Sequence, residues 1–123
     1  MRSGLYALYE DSEFCAEFLP DGRIRLTTDL SFTGFERSGR GFEKTLNRNE
    51  LTELFIVSAT VEYGGETLIV ERIDGDSVIA VANDEKTANI LGILPDENGV
   101  FCISLNKSQI KNASEHIRML NVK

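Results

Sequence analysis

Glu13-Phe14-Cys15-Ala16-Glu17-Phe18, then Asp21-Gly22, then Arg23-Ile24-Arg25-Leu26-Thr27 is the stretch that decides how the chain folds. Phe14, Ala16 and Phe18 alternate with Glu13, Cys15 and Glu17, and Ile24 and Leu26 alternate with Arg23, Arg25 and Thr27. A period of two sets one row on a core and the other in water, the pattern of antiparallel strands rather than of a helix. Asp21-Gly22 between the runs reads as a turn, because glycine takes a positive φ without steric cost. Asp74-Gly75 and Asn98-Gly99 repeat the signal.

Working outward, the same landmarks recur. Tyr9, Glu13, Asp21-Gly22, Ile24, Leu26 and Asp29 are answered by Tyr63, Glu66, Asp74-Gly75, Ile79, Val81 and Asp84, with eight residues from Glu to Asp-Gly in both. Gly34 and Gly41 lie seven apart, as do Gly92 and Gly99. Leu46-Asn47-Arg48-Asn49-Glu50-Leu51 matches Leu105-Asn106-Lys107-Ser108-Gln109-Ile110. The expectation is a chain written twice, and repeats of this kind govern the fold.

Each copy should close on a short helix. Asn47 with Glu50 has capping-box spacing ahead of Leu51, Leu54 and Phe55, and Ile56–Val61 is β-branched and returns to strand. Asn106 or Ser108 would cap a C-terminal helix carrying Ile110, Ala113 and Ile117. Asp84–Leu91 reads as a helix of one or two turns stopped by Gly92. Thr67–Val70 and Val78–Ala82 are nearly unbroken apolar runs, expected to bury both faces. The expected class is α+β: mostly antiparallel β, in two tandem ββββ-α-like repeats with short helices and approximate internal two-fold symmetry. One domain should span 1–123, with repeats over about 4–58 and 59–123.

With 123 residues, 41% hydrophobic and 27% charged, the composition is that of a folded globular chain. The formal charge is −7 and is unevenly placed. Residues 62–97 hold nine acids against Arg72 and Lys86, whereas residues 98–123 hold Glu115 against Lys107, Lys111, Arg118 and Lys123. This balance argues against nucleic acid or an anionic membrane as partner, because phosphate affinity comes from clustered Lys and Arg. No apolar run approaches the roughly 20 residues of a membrane helix, and Met1–Tyr9 lacks a signal-peptide core. Cys15 and Cys102 have no metal or redox spacing, so a reduced cytoplasmic chain with two free thiols is expected, both of them small core or semi-buried residues.

Reactive constellations are sparse. His116 is the single histidine, in the tail, which excludes two-His metal sites. Asp74-Gly75-Asp76, Asp84-Glu85 and Asp96-Glu97 fall in turns, where Asp is explained by turn chemistry, and none completes a calcium loop. Gly34–Gly41 lacks the Lys-Ser/Thr of a P-loop, although Arg37 and Arg40 could hold an anion. No catalytic residue, metal or cofactor is expected, and the chain is read as a non-enzyme.

Tyr6-Ala7-Leu8-Tyr9, Asp21-Gly22, Gly34-Phe35 and Glu50-Leu51 together resemble small bacterial immunity proteins encoded beside polymorphic or contact-dependent growth inhibition toxins. In the second copy Gly92-Ile93 stands where the first has Gly34-Phe35. The resemblance implies a cytoplasmic protein that binds and neutralises its cognate toxin, often a nuclease. Nucleases that grip phosphate are basic, so an acidic inhibitor gains steered association. The candidate toxin-binding residues are Glu62, Tyr63, Glu66, Asp74, Asp76, Asp84, Glu85, Asp96 and Glu97, with Tyr63 as aromatic anchor and the cluster Glu10, Asp11 and Glu13 as competitor. The alternative is a small-ligand or single-stranded nucleic-acid module stacking bases on Tyr6, Tyr9, Phe14, Phe18, Phe35 and Phe42.

Overall fold

The computed structural model describes residues 1–39 and 41–123. The elements are β1 (Gly4–Tyr9), β2 (Ser12–Phe18), β3 (Ile24–Thr28), β4 (Glu36–Ser38), β5 (Gly41–Leu46), a 3-10 turn (Arg48–Glu50) and β6 (Glu53–Tyr63). There follow β7 (Glu66–Asp74), β8 (Ser77–Val81), α1 (Glu85–Leu91), β9 (Cys102–Asn106), a second 3-10 turn (Lys107–Gln109) and β10 (Lys111–Leu120). The chain is thus mostly antiparallel β sheet with, among the described residues, one α-helix. It divides into two compact units, one of Gly4–Val57 with Ile117–Lys123 and one of Met1–Ser3 with Ser58–His116.

In the first unit the strand order is β4-β5-β3-β2-β1, with residues 53–57 of β6 beside β1, every pairing antiparallel. The period-two reading of the opening stretch holds for Phe14, Ile24 and Leu26, which are buried with Ala7, Leu46, Leu51 and Leu54. Phe14, Phe32 and Phe35 meet ring to ring at centroid distances of 5.0 to 5.7 Å. Each fully buried side chain such as Leu26 contributes about 1.5–3 kcal/mol. Phe18, expected in the core, is exposed at the end of β2 with the Arg48 guanidinium 5.8 Å from its ring centre. Cys15 is exposed too, since alternation that buries Phe14 turns its neighbour outward.

In the second unit, residues from Ser58 on β6, then β7, β8 and β9, follow one another in space, again antiparallel. Ala59, Val61, Leu68, Val70, Val78, Ala80, Ala82, Ala88, Ile93 and Leu105 make the core. The apolar runs do not bury both faces: Thr67 and Ile69 are exposed and Ile79 and Val81 are half-buried. Antiparallel strands need only one covered face, and the closing helices expected to cover the other do not form.

Both capping boxes form, but each opens only a 3-10 turn, with Glu50 and Gln109 side chains bonded back to the Asn47 and Asn106 amides at 2.7 and 2.9 Å. Leu51 and Ile110 are already extended, so the chain leaves the turn as strand. The expected C-terminal helix is therefore replaced by β10, which pairs with β6. The helix over Asp84–Leu91 does form: the Asp84 carboxylate accepts from the Thr87 amide at 2.7 Å, and Gly92 closes it at φ 71.

Candidate functional site

The antiparallel order of the second unit sorts the candidate acids by strand direction. β6 ends at Tyr63 and β7 begins at Glu66, joined by Gly64-Gly65, whose φ values of 60 and 80 are those of a two-residue primed turn. β8 arrives back at this end with Val81, and β9 sets out from it with Cys102 opposite Val81. Helix α1 stands here as well, for a Cβ on Gly64 would lie 2.7 Å from Leu91. Glu62, Tyr63, Glu66, Asp84, Glu85, Asp96 and Glu97 are therefore gathered at one end. Asp74 and Asp76 flank the β7–β8 turn at the other. Eight strand residues at about 3.3 Å each separate Glu66 from Asp74 by roughly 26 Å.

Several of these acids already serve the fold. Asp84 caps α1. One Asp96 oxygen accepts from the Asn98 and Val100 amides at 2.8 and 2.9 Å, closing the Asn98-Gly99 turn. Glu62 accepts from the Asn112 side chain at 2.9 Å, linking β6 to β10. Tyr63 is half-buried against the core of its unit, so its ring is only partly available as an anchor. Glu85 and Glu97 are exposed.

Sequence reasoning missed two apolar residues at the same end. Ile90 is 57% exposed and Leu94 82%. On α1 the buried side is Ala88 with the half-buried Thr87 and Leu91, which leaves Ile90 exposed on the flank.

The first unit carries a groove of about 390 Å³ whose walls include Glu13, Cys15, Thr27, Asp29, Phe42 and Glu43. Its carboxylates make it a poor bed for phosphate. Burial and then the charges of Asp29 and Glu13 push the Cys15 thiol above its ordinary value; burial and then Glu71 do the same for Cys102. Arg37 is exposed on β4 beside Phe42, while Arg40 lies outside the described residues. Among the described residues, no three His, Cys, Asp or Glu side chains come together as a metal site. No described helix is long and apolar enough to cross a membrane.

The chain is thus two antiparallel β units, the second with an acidic end. It belongs to the family described as uncharacterised conserved protein UCP033725, whose model matches residues 1–121. No curated protein and no solved structure matches it.

Proposed function

We propose that this protein is a non-enzymatic inhibitor that occupies a cationic surface of a partner protein, with a cognate toxin in the bacterial cytoplasm as that partner. The observation carrying the reading is the set Glu62, Glu66, Asp84, Glu85, Asp96 and Glu97 at one end of the second unit, beside exposed Ile90 and Leu94. An apolar centre rimmed by charge of one sign is the anatomy of a steered protein interface. Asp74 and Asp76, some 26 Å away on the same spacing argument, drop out of the contact face.

The scaffold is a duplicated unit with approximate two-fold symmetry. In support, three strands, a variable segment, a strand, a capped 3-10 turn and a further strand follow in the same order from Gly4 and again from the second half of β6. The variable segment holds β4 in one copy and α1 in the other.

The test begins with the protein encoded immediately upstream. Its C-terminal domain should form a stoichiometric complex with this chain, and the association rate should fall as salt rises. Glu85→Lys with Glu97→Lys should slow association severalfold, whereas Asp74→Lys with Asp76→Lys should change it little. A salt-independent rate, or the opposite ranking of the two variants, defeats the reading. A gel shift with single-stranded nucleic acid at moderate salt tests the alternative module and should be blank.

A further inference from the structure

The two units end their sheets differently. In the first, the outer edge of β5 is covered by β4, which pairs Glu36, Arg37 and Ser38 with Glu43, Phe42 and Gly41. In the second, β9 pairs only with β8 among the described residues. The amide of Ala82 bonds the Phe101 carbonyl and that of Lys107 the Asp76 carbonyl, both at 2.9 Å, which fixes the phase of the ladder. Residues 101, 103, 105 and 107 thus turn their backbone groups toward β8, and Cys102, Ser104 and Asn106 turn theirs outward. The Asn106 amide is taken by Gln109, while those of Cys102 and Ser104 meet no other strand.

Natural edges of this kind are guarded by Lys, Pro or inward charges. The β9 sequence Cys102-Ile103-Ser104-Leu105-Asn106 has none of them. Charge is instead placed beyond its ends: Asp96 and Glu97 precede the strand, and Lys107, bonded to the Asp76 carbonyl, follows it. Asp74 and Asp76 sit one strand further in, on the β7–β8 turn.

We infer that the β9 edge is a self-association site, where a second copy of this chain adds its own β9 in antiparallel register about Ser104. Ser104 of each copy then exchanges amide–carbonyl bonds with Ser104 of the other, and Cys102 faces Asn106. This direction alone brings Asp96 and Glu97 of one copy toward Lys107 of the second, whereas a parallel addition would set acids on acids. The two-fold pairing is closed, so it stops at a dimer.

Light scattering across a concentration series tests this on the whole chain. The 13.7 kDa chain should approach twice that mass as concentration rises, and the shift should weaken with salt. Ser104→Pro removes an outward amide that no internal bond uses and should abolish the shift with the far-ultraviolet spectrum retained. Should Ser104→Pro unfold the chain, Ser104→Cys in a Cys15→Ser, Cys102→Ser background keeps the question open to measurement. Mild oxidation should cross-link that variant, and the Thr67→Cys control should stay monomeric. Lys107→Glu should weaken the dimer and the added Glu97→Lys should restore it. A monomer at every concentration, or a dimer indifferent to Ser104→Pro, overturns the inference and leaves the acidic-face reading standing. An extended peptide of another protein taking the edge in preference to a second copy overturns it as well.

Discussion

A Cβ placed on Gly64 would stand 2.7 Å from the Leu91 Cδ2 atom, so the β6–β7 turn and helix α1 touch at the only kind of residue that permits it. Gly64 also holds φ 60, where an L side chain costs about 1–2 kcal/mol. Gly64→Ala should therefore destabilise by that amount plus the displacement of the Leu91 tip. Gly65→Ala, at φ 80 with open space around it, should show the backbone cost alone. In a Leu91→Ala background the difference between the two glycine variants should vanish, as urea unfolding would show.

The β1–β2 turn of the first unit lacks that freedom. Tyr9 pairs with Ser12 across Glu10 and Asp11, at φ 49 and 64. Two non-glycine residues in the left-handed region are strained, glutamate more than aspartate, and Asn-Gly is the pair this turn geometry favours. Glu10→Asn with Asp11→Gly should raise stability by about 1 kcal/mol, measured as a higher urea midpoint at unchanged slope.

The strand pattern was legible wherever one face meets the core, because Phe14, Leu26, Leu68 and Val78 announce their side of the sheet locally. The helix over Glu85–Leu91 was legible for a similar reason, since Asp84 and Gly92 mark both of its ends. β10 was not legible. Its residues Lys111–Met119 are exposed, and what makes them a strand is pairing with β6, some fifty positions earlier. The acids of the candidate site could be named from sequence, but not their division into two ends, which depends on strand direction. The Asn47 capping box was correctly placed and over-read: the box fixes how a turn starts, while Leu51 decides that it stops, as Ile110 does after the Asn106 cap.

Asp84 ties stability to pH. The Thr87 amide, with Lys86 nearby, holds its carboxyl below the ordinary value of 3.8. A folded-state value lowered in this way contributes stability that is complete above the unfolded value and is lost as pH falls through the folded one. Asp84→Ala should consequently lower the melting midpoint at pH 7, and the gap from the parent should narrow below about pH 4 as the unfolded-state carboxyl protonates. Equal gaps at pH 7 and at pH 2 would show that the cap acts through something other than the ionised carboxylate. Asp21 offers an independent check, since the Arg23 amide and guanidinium lower its carboxyl in the same direction.

Cys15 should be a slow thiol in spite of its exposed position. Its side chain lines the first unit's groove, where burial, then Asp29 and then Glu13, disfavour the thiolate and raise it above the ordinary 9.0. Alkylation proceeds through the thiolate, so near pH 8 the rate should fall below that of an unstructured cysteine peptide and approach it only on unfolding. Neutralising a wall charge should reverse part of this: Asp29→Asn should speed labelling of Cys15 and leave Cys102, whose nearest carboxylate is Glu71 at 3.7 Å, unchanged. Mass spectrometry of the two cysteine peptides after timed alkylation separates these rates. Labelling of Cys15 as fast as the free peptide would mean that the groove does not hold its thiol among those carboxylates in solution.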